Sequence, residues 1–138
     1  MNHLVIIAML IASAISSQLK NHQDIVVNIS NIDNDKGKIM IGLYASEGTW
    51  LGNPEKGFIG KIEEGVSTAT FANITPGVYA VSIFHDENDN NELDMNFMGI
   101  PKEDNGCSNN ASGFFGPPKW KDAKFELKDK TEIINIKL

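Results

Sequence analysis

The sequence predicts an all-β fold: a sandwich of about seven short antiparallel strands, immunoglobulin-like or transthyretin-like, with a long ordered loop at one end. Three observations predict it. Apolar and polar residues alternate in run after run of the chain. Gly, Pro, Asn and Asp clusters punctuate those runs at turn positions. Past the first residues, no stretch carries the 3.6-residue apolar stripe of an amphipathic helix. The 138 residues suit a single domain. A closed barrel is the alternative, because strand count alone does not separate the two.

The chain begins with an address. Leu4 to Ile15 is apolar except for Ser13, and Ser16, Ser17 and Gln18 follow. That is the pattern of a secretory signal peptide, too short for a spanning helix, which needs ~20 apolar residues. A signal over residues 1–17 is therefore expected, with one domain over 18–138, exported to the periplasm or the cell exterior. No stable membrane span is expected. The single cysteine, Cys107, permits no intramolecular disulfide, so the domain must rely on its core, with Cys107 as a small buried apolar residue.

The strands follow in order. Ile25, Val27 and Ile29 share a face of the first, which ends in the turn Asp33-Asn34-Asp35-Lys36-Gly37. Ile39, Ile41 and Leu43 share a face of the second, about residues 38–45. A Gly-rich loop with Trp50 and Pro54 comes next. Phe58 to Glu63 and Val66 to Ala72 read as a hairpin about Glu64-Gly65. Pro76-Gly77 launches Val78 to His85, apolar on both faces and so expected at the centre of a sheet. Ala123, Phe125 and Leu127 mark the sixth strand; Ile134, Ile136 and Leu138 mark the last.

The formal charge of −6 comes from 18 acids against 12 lysines. It disfavours nucleic acid, which attracts clustered basic residues. Residues 86–104 hold seven acids and only Lys102; the remaining eleven acids and eleven lysines cancel. The whole excess therefore lies in the long segment between His85 and Trp120. A connection beyond ~12–15 residues is usually functional or disordered. Leu93, Met95, Phe97, Met98, Phe114, Phe115 and Trp120 argue for order, since disordered tracts are poor in such residues.

Asp86, Asn88 and Asn90 match the opening of a calcium loop, in which alternate oxygen-bearing side chains curl around one hard cation. Glu92 would add its carbonyl and Asp94 its carboxylate. Asn91 holds the sixth position, where Gly is usual; Asn best tolerates the left-handed turn among other residues. The twelfth position is Phe97 instead of Glu, so Glu103 or Asp104 would have to complete the site. Oxygen donors favour calcium as the cofactor, held at low affinity, near ~10⁻⁴–10⁻³ M. His85 is in reach as an imidazole ligand, though a histidine at a strand end is commonly a hydrogen-bonded surface residue. The competing reading is a solvated turn whose Asp and Asn side chains cap their own backbone.

The second half of the loop sets Asn109 and Asn110 near Phe114 and Trp120, an aromatic-and-amide pairing suited to a saccharide. The alternative is that these aromatics close the open end of the sandwich.

Several strings stand in a fixed order: Thr75-Pro76-Gly77-Val78-Tyr79-Ala80-Val81, Phe84-His85-Asp86-Glu87-Asn88, Leu93-Asp94-Met95-Asn96-Phe97-Met98-Gly99-Ile100-Pro101-Lys102-Glu103, Ser108-Asn109-Asn110-Ala111 and Phe115-Gly116-Pro117-Pro118. Together they resemble the signature of an exported bacterial family known as domain of unknown function 2141. The resemblance implies a secreted or periplasmic β-sandwich of unassigned activity. Asn91 stands where the family usually has Gly, and Cys107 where it tends to have an aromatic.

No Ser-His-Asp order, nucleophile elbow, zinc-protease helix or phosphate loop occurs. A carboxylate pair such as Asp86 and Asp94 could serve a hydrolase, but acids are abundant in this loop and their spacing is not diagnostic. The expected function is an exported, non-catalytic binding or structural module with a weak calcium loop over 86–94. A carbohydrate-binding module using residues 107–120 is the alternative, and a polysaccharide or a cell-envelope protein the expected kind of partner.

Overall fold

Ile25, Val27 and Ile29 lie on the buried side of β1 (Gln23–Ser30), the middle strand of a three-stranded sheet. The structure, a computed structural model, describes residues 21–138. The expected signal peptide lies outside the described residues. β1 is flanked by β4 (Ser67–Ile74), antiparallel to it, and by β8 (Glu132–Lys137), parallel to it.

The second sheet is built on β2 (Lys38–Tyr44) and β5 (Gly77–Asp86), which pair antiparallel from Lys38↔Asp86 to Tyr44↔Ala80. β3 (Lys56–Gly60) adds to the outer side of β2. The far side of β5 has two successive partners, β6 (Asn105–Cys107) and β7 (Phe125–Leu127). Ile39, Ile41, Leu43, Tyr79, Val81 and Ile83 from this sheet meet Ile25, Val27, Ile29, Phe71, Ile134 and Ile136 from the other. The result is an all-β, two-sheet sandwich of three and five strands.

Four features depart from expectation. There are eight strands, because Asn105–Cys107 inside the long loop pairs with Ser82–Phe84. β8 runs parallel to β1: β7 lies in the other sheet, so the chain crosses the sandwich before β8, and parallel neighbours require such a crossover. The expected hairpin over residues 58–72 is split between sheets. Only Glu63↔Val66 forms a bridge, around Glu64 and Gly65 at φ 52° and 75°. Gly60 and Ile62 turn inward between the sheets, carrying the chain across before β4 begins. Alternation marks a strand but not its partner, which is why the crossing is hidden in the sequence.

The long loop also does more than leave one end of the sandwich. Ala80, on the face of β5 opposite the main core, packs with Cys107 and Ala123 beneath Trp50, Ala111 and Trp120. The loop's second half, including the single-turn helix α1 (Trp120–Ala123), thus covers the outer face of the larger sheet. This explains why β5 is apolar on both faces.

Candidate functional site

β5 ends in His85 and Asp86, both fully buried, beside the β1–β2 turn. Gly37 in that turn has φ +66°, and a Cβ there would stand 2.0 Å from the Asp86 carbonyl oxygen. Only glycine allows the turn to close against the start of the acidic loop.

The Asp86 carboxylate organises the first half of the loop. Its Oδ1 accepts the Asn90 N–H at 3.2 Å and its Oδ2 the Asn91 N–H at 2.9 Å. Asn91 has φ 64°, the left-handed geometry that the sixth position of such a loop calls for. The side chains at the third, fifth and ninth positions meet. Asn88 Nδ2 donates to Asp94 Oδ2 at 2.6 Å, and Asn90 Nδ2 to Asp94 Oδ1 at 2.7 Å. Asn90 Oδ1 accepts the Glu92 N–H at 3.0 Å, while the Glu92 side chain is exposed.

Two residues outside the motif complete this arrangement. Glu103 accepts the Glu87 N–H through Oε2 at 2.9 Å and the Asp94 N–H through Oε1 at 3.0 Å, clamping the two limbs of the loop. Lys38, directly opposite Asp86 in register, brings its ammonium 3.0 Å from Asp89 Oδ1 and 3.7 Å from Asp86 Oδ2, and donates to Asn91 Oδ1. Lys38 offsets part of the loop's charge, and sequence reasoning missed it: nothing in a lysine 48 residues before Asp86 announces the contact.

His85 is buried and not a surface residue, contrary to the expectation for a strand end. Its Nε2 lies 2.6 Å from the Lys36 carbonyl oxygen. Its Nδ1 stands 3.6 Å from Glu87 Oε1 with no hydrogen-bond partner among the described residues. Nearby, the Asp104 carboxyl is pushed above the usual carboxylate range, first by partial loss of solvent and then by the charges of Asp33 and Glu87; His85 opposes the shift.

The turn Ser108–Asn110 packs against α1, which begins with Trp120. Asn109 Nδ2 donates to the carbonyls of Asp122 and Lys124, at 3.1 and 2.9 Å, and Asn110 Oδ1 accepts the Lys137 N–H at 3.0 Å. Asn109 Nδ2 and Asn110 Oδ1 are thus spent on the protein's own backbone. Trp120 packs edge-on against Trp50, with ring centroids 5.9 Å apart. Phe114 and Phe115 are almost wholly exposed and meet edge-on, with centroids 4.4 Å apart.

Among the described residues, no three or more His, Cys, Asp or Glu side chains are arranged to hold a metal ion as they stand. A calcium ion in the 86–94 loop would instead draw on two carboxylates and several amide and backbone oxygens. Two surface hollows, one lined by Phe58, Ile59 and Thr68 and the other by Glu55, Asn73 and Tyr79, include no residue of this loop. Among the described residues no helix is long and apolar enough to cross a membrane.

A family model described as an uncharacterized protein conserved in bacteria (DUF2141) matches residues 27–135. No curated protein and no solved structure matches the chain.

Proposed function

This chain belongs to the bacterial DUF2141 family, and on that footing we propose that it is an exported, non-catalytic binding or structural module whose 86–94 loop takes up calcium at low affinity. One observation carries the reading. Asn88 and Asn90 converge on the two oxygens of Asp94 while Asp86 gathers the Asn90 and Asn91 amides, with Asn91 left-handed. The side chains gathered there stand at the alternate positions from which oxygen donors would surround one hard cation. A calcium ion among them would turn the Asn88 and Asn90 amide oxygens inward and replace their N–H bonds to Asp94. The local charge excess favours a cation further.

Export rests on the apolar Leu4–Ile15 run and its small-residue boundary. The non-catalytic reading rests on how the loop spends its polar groups: on one another and on backbone amides.

The test is a calcium titration of the purified protein, followed by melting temperature and backbone amide chemical shifts. The expected result is saturable stabilisation near millimolar calcium, with shifts concentrated at residues 86–94. Asp94→Asn is expected to abolish the response. No stabilisation at millimolar calcium, or an undiminished response in Asp94→Asn, overturns the reading.

A further inference from the structure

Two sheet edges open on the same side of the sandwich. β4 ends the smaller sheet and β3 ends the larger one, and among the described residues no strand pairs with the outer side of either. They meet where Gly60 faces Ser67: a Cβ on Gly60 would stand 2.5 Å from Ser67 Oγ. The opposite edge of the smaller sheet is covered. There the long loop lies along β8, with Asn110 Oδ1 accepting the Lys137 N–H and Gly106 close against Ile136. An edge strand turns the N–H and C=O of every second residue outward, and another extended backbone meets that row group for group.

The two bare edges are not equally guarded. β3 has 5 residues, begins at Lys56 and is followed by Lys61, and a short strand with lysines is a usual defence against further pairing. β4 has 8 residues, with neither a charge nor a proline among them.

The core beside β4 is also unfinished. Phe58 lies opposite the buried Ile41 in register and meets Phe71 edge-on at 6.3 Å, yet it is 39% exposed. β4 turns Ser67 and Ala69 inward, and both are too small to shield that ring. A hollow of about 400 Å³ results, lined by Phe58, Ile59, Val66, Ser67 and Thr68. The Ser67 hydroxyl is buried and has no hydrogen-bond partner among the described residues. A bare backbone edge, an apolar hollow and an unmet hydroxyl thus adjoin one another.

We propose that β4 takes up an extended, uncharged segment of a partner protein, which joins the smaller sheet as a strand and sets a large apolar side chain in the hollow over Phe58. Main-chain bonds to β4 supply the affinity, and the hollow selects the side chain. A charged side chain there would lose its water with nothing to offset the cost, because Lys61 and Glu63 at the rim already pair with each other at 3.3 Å. A second copy of β4 would suit the edge but not the hollow, since its inward residues are the same small Ser67 and Ala69. No residue of the 86–94 loop takes part, so this inference and the calcium reading stand or fail separately.

The experiment titrates the isotope-labelled full chain with a short capped peptide of alternating leucine and threonine, carrying a terminal lysine pair for solubility. Amide shifts and hydrogen exchange are the readouts. Saturable binding is expected, with slowed exchange along Ser67–Ile74 and shifts at Phe58 and Val66. A control peptide with every backbone N–H methylated keeps the side chains and is expected not to bind. Val66→Lys and Ile59→Lys, at exposed positions lining the hollow, are each expected to weaken binding by about tenfold or more. Ile133→Lys, exposed on β8, is expected to leave it unchanged. The proposal is overturned if millimolar peptide gives no saturable binding, if the methylated peptide binds equally, if the shifts centre away from β4, or if both hollow variants bind as the wild type does. A dimer that protects the β4 amides without peptide, detected by sedimentation, would assign the edge to a second copy and overturn it as well.

Discussion

Ser108 completes the hydrogen bonding of Val81. Its hydroxyl oxygen accepts the Val81 N–H at 3.0 Å, and its proton goes to the Ala123 carbonyl. Val81 lies where β5 changes partner, after Gly77–Tyr79 on β7 and before Ser82–Phe84 on β6. Without Ser108 the ladder would have a buried gap at that point. The Ser108-Asn109-Asn110 string therefore has a structural meaning: three side chains in a row hold backbone groups of β5, α1 and β8 and fasten the long loop to the sandwich.

Ser108→Ala leaves the Val81 N–H and the Ala123 carbonyl buried without this partner. The expected cost is about 2 kcal/mol of stability, measured by urea unfolding, with the fold retained. An alanine variant as stable as the wild type would mean that the chain closes the gap by another route.

Gly37→Ala tests how the β1–β2 turn meets the acidic loop. The added Cβ would fall 2.0 Å from the Asp86 carbonyl oxygen, on a residue at φ +66°. Strain and clash together predict a loss of about 3 kcal/mol. Amide shifts at Glu87 and Asn91 are expected to move as well, because relief of the clash displaces the end of β5.

Strand existence was legible in the sequence wherever one face is buried. Ile25, Val27 and Ile29, or Ile39, Ile41 and Leu43, state their strands through period-two alternation. The left-handed turn at Asn91 was legible too, since few residues other than Gly accept that backbone. What stayed hidden depends on partners far apart in the chain. The Gly60–Ile62 crossing, the parallel β1–β8 pairing, the placement of Lys38 against Asp86 and the burial of His85 are tertiary facts. Short motifs carry no register information across fifty or a hundred residues. The backbone partners of Asn109 and Asn110 were hidden for the same reason: a short string does not say which distant backbone groups its side chains bond.

Cys107 is buried against Ala80 and Ala123, and its thiol donates to the Ala111 carbonyl. Burial pushes the thiol above its ordinary value, which slows formation of the reactive thiolate. Native protein is therefore expected to resist alkylation by iodoacetamide until it is unfolded in urea. The sign for stability follows from the raised folded-state value. The Cys107 contribution is complete below the unfolded thiol's range and is lost as pH rises through the higher folded value. Cys107→Ala is expected to flatten the fall in melting temperature at alkaline pH. Rapid labelling of native protein at neutral pH would contradict this account.

Lys38 stands beside Asp86, one of the two carboxylates that the proposed calcium site would use. The ammonium stands 3.0 Å from Asp89 Oδ1 and 3.7 Å from the buried Asp86 Oδ2. Lys38→Met keeps most of the stem and removes the charge. In calcium-free buffer it is expected to lower stability by about 2 kcal/mol, because Asp86 stays buried with only its two backbone donors. Calcium is then expected to raise the melting temperature of Lys38→Met more than that of the wild type, since the ion enters a loop with one fewer positive charge beside it. Parallel calcium titrations of the two proteins, at fixed ionic strength, measure the difference. A smaller calcium response in the variant would mean that Lys38 holds the loop in its ion-accepting shape, and that its ammonium does not compete with the cation.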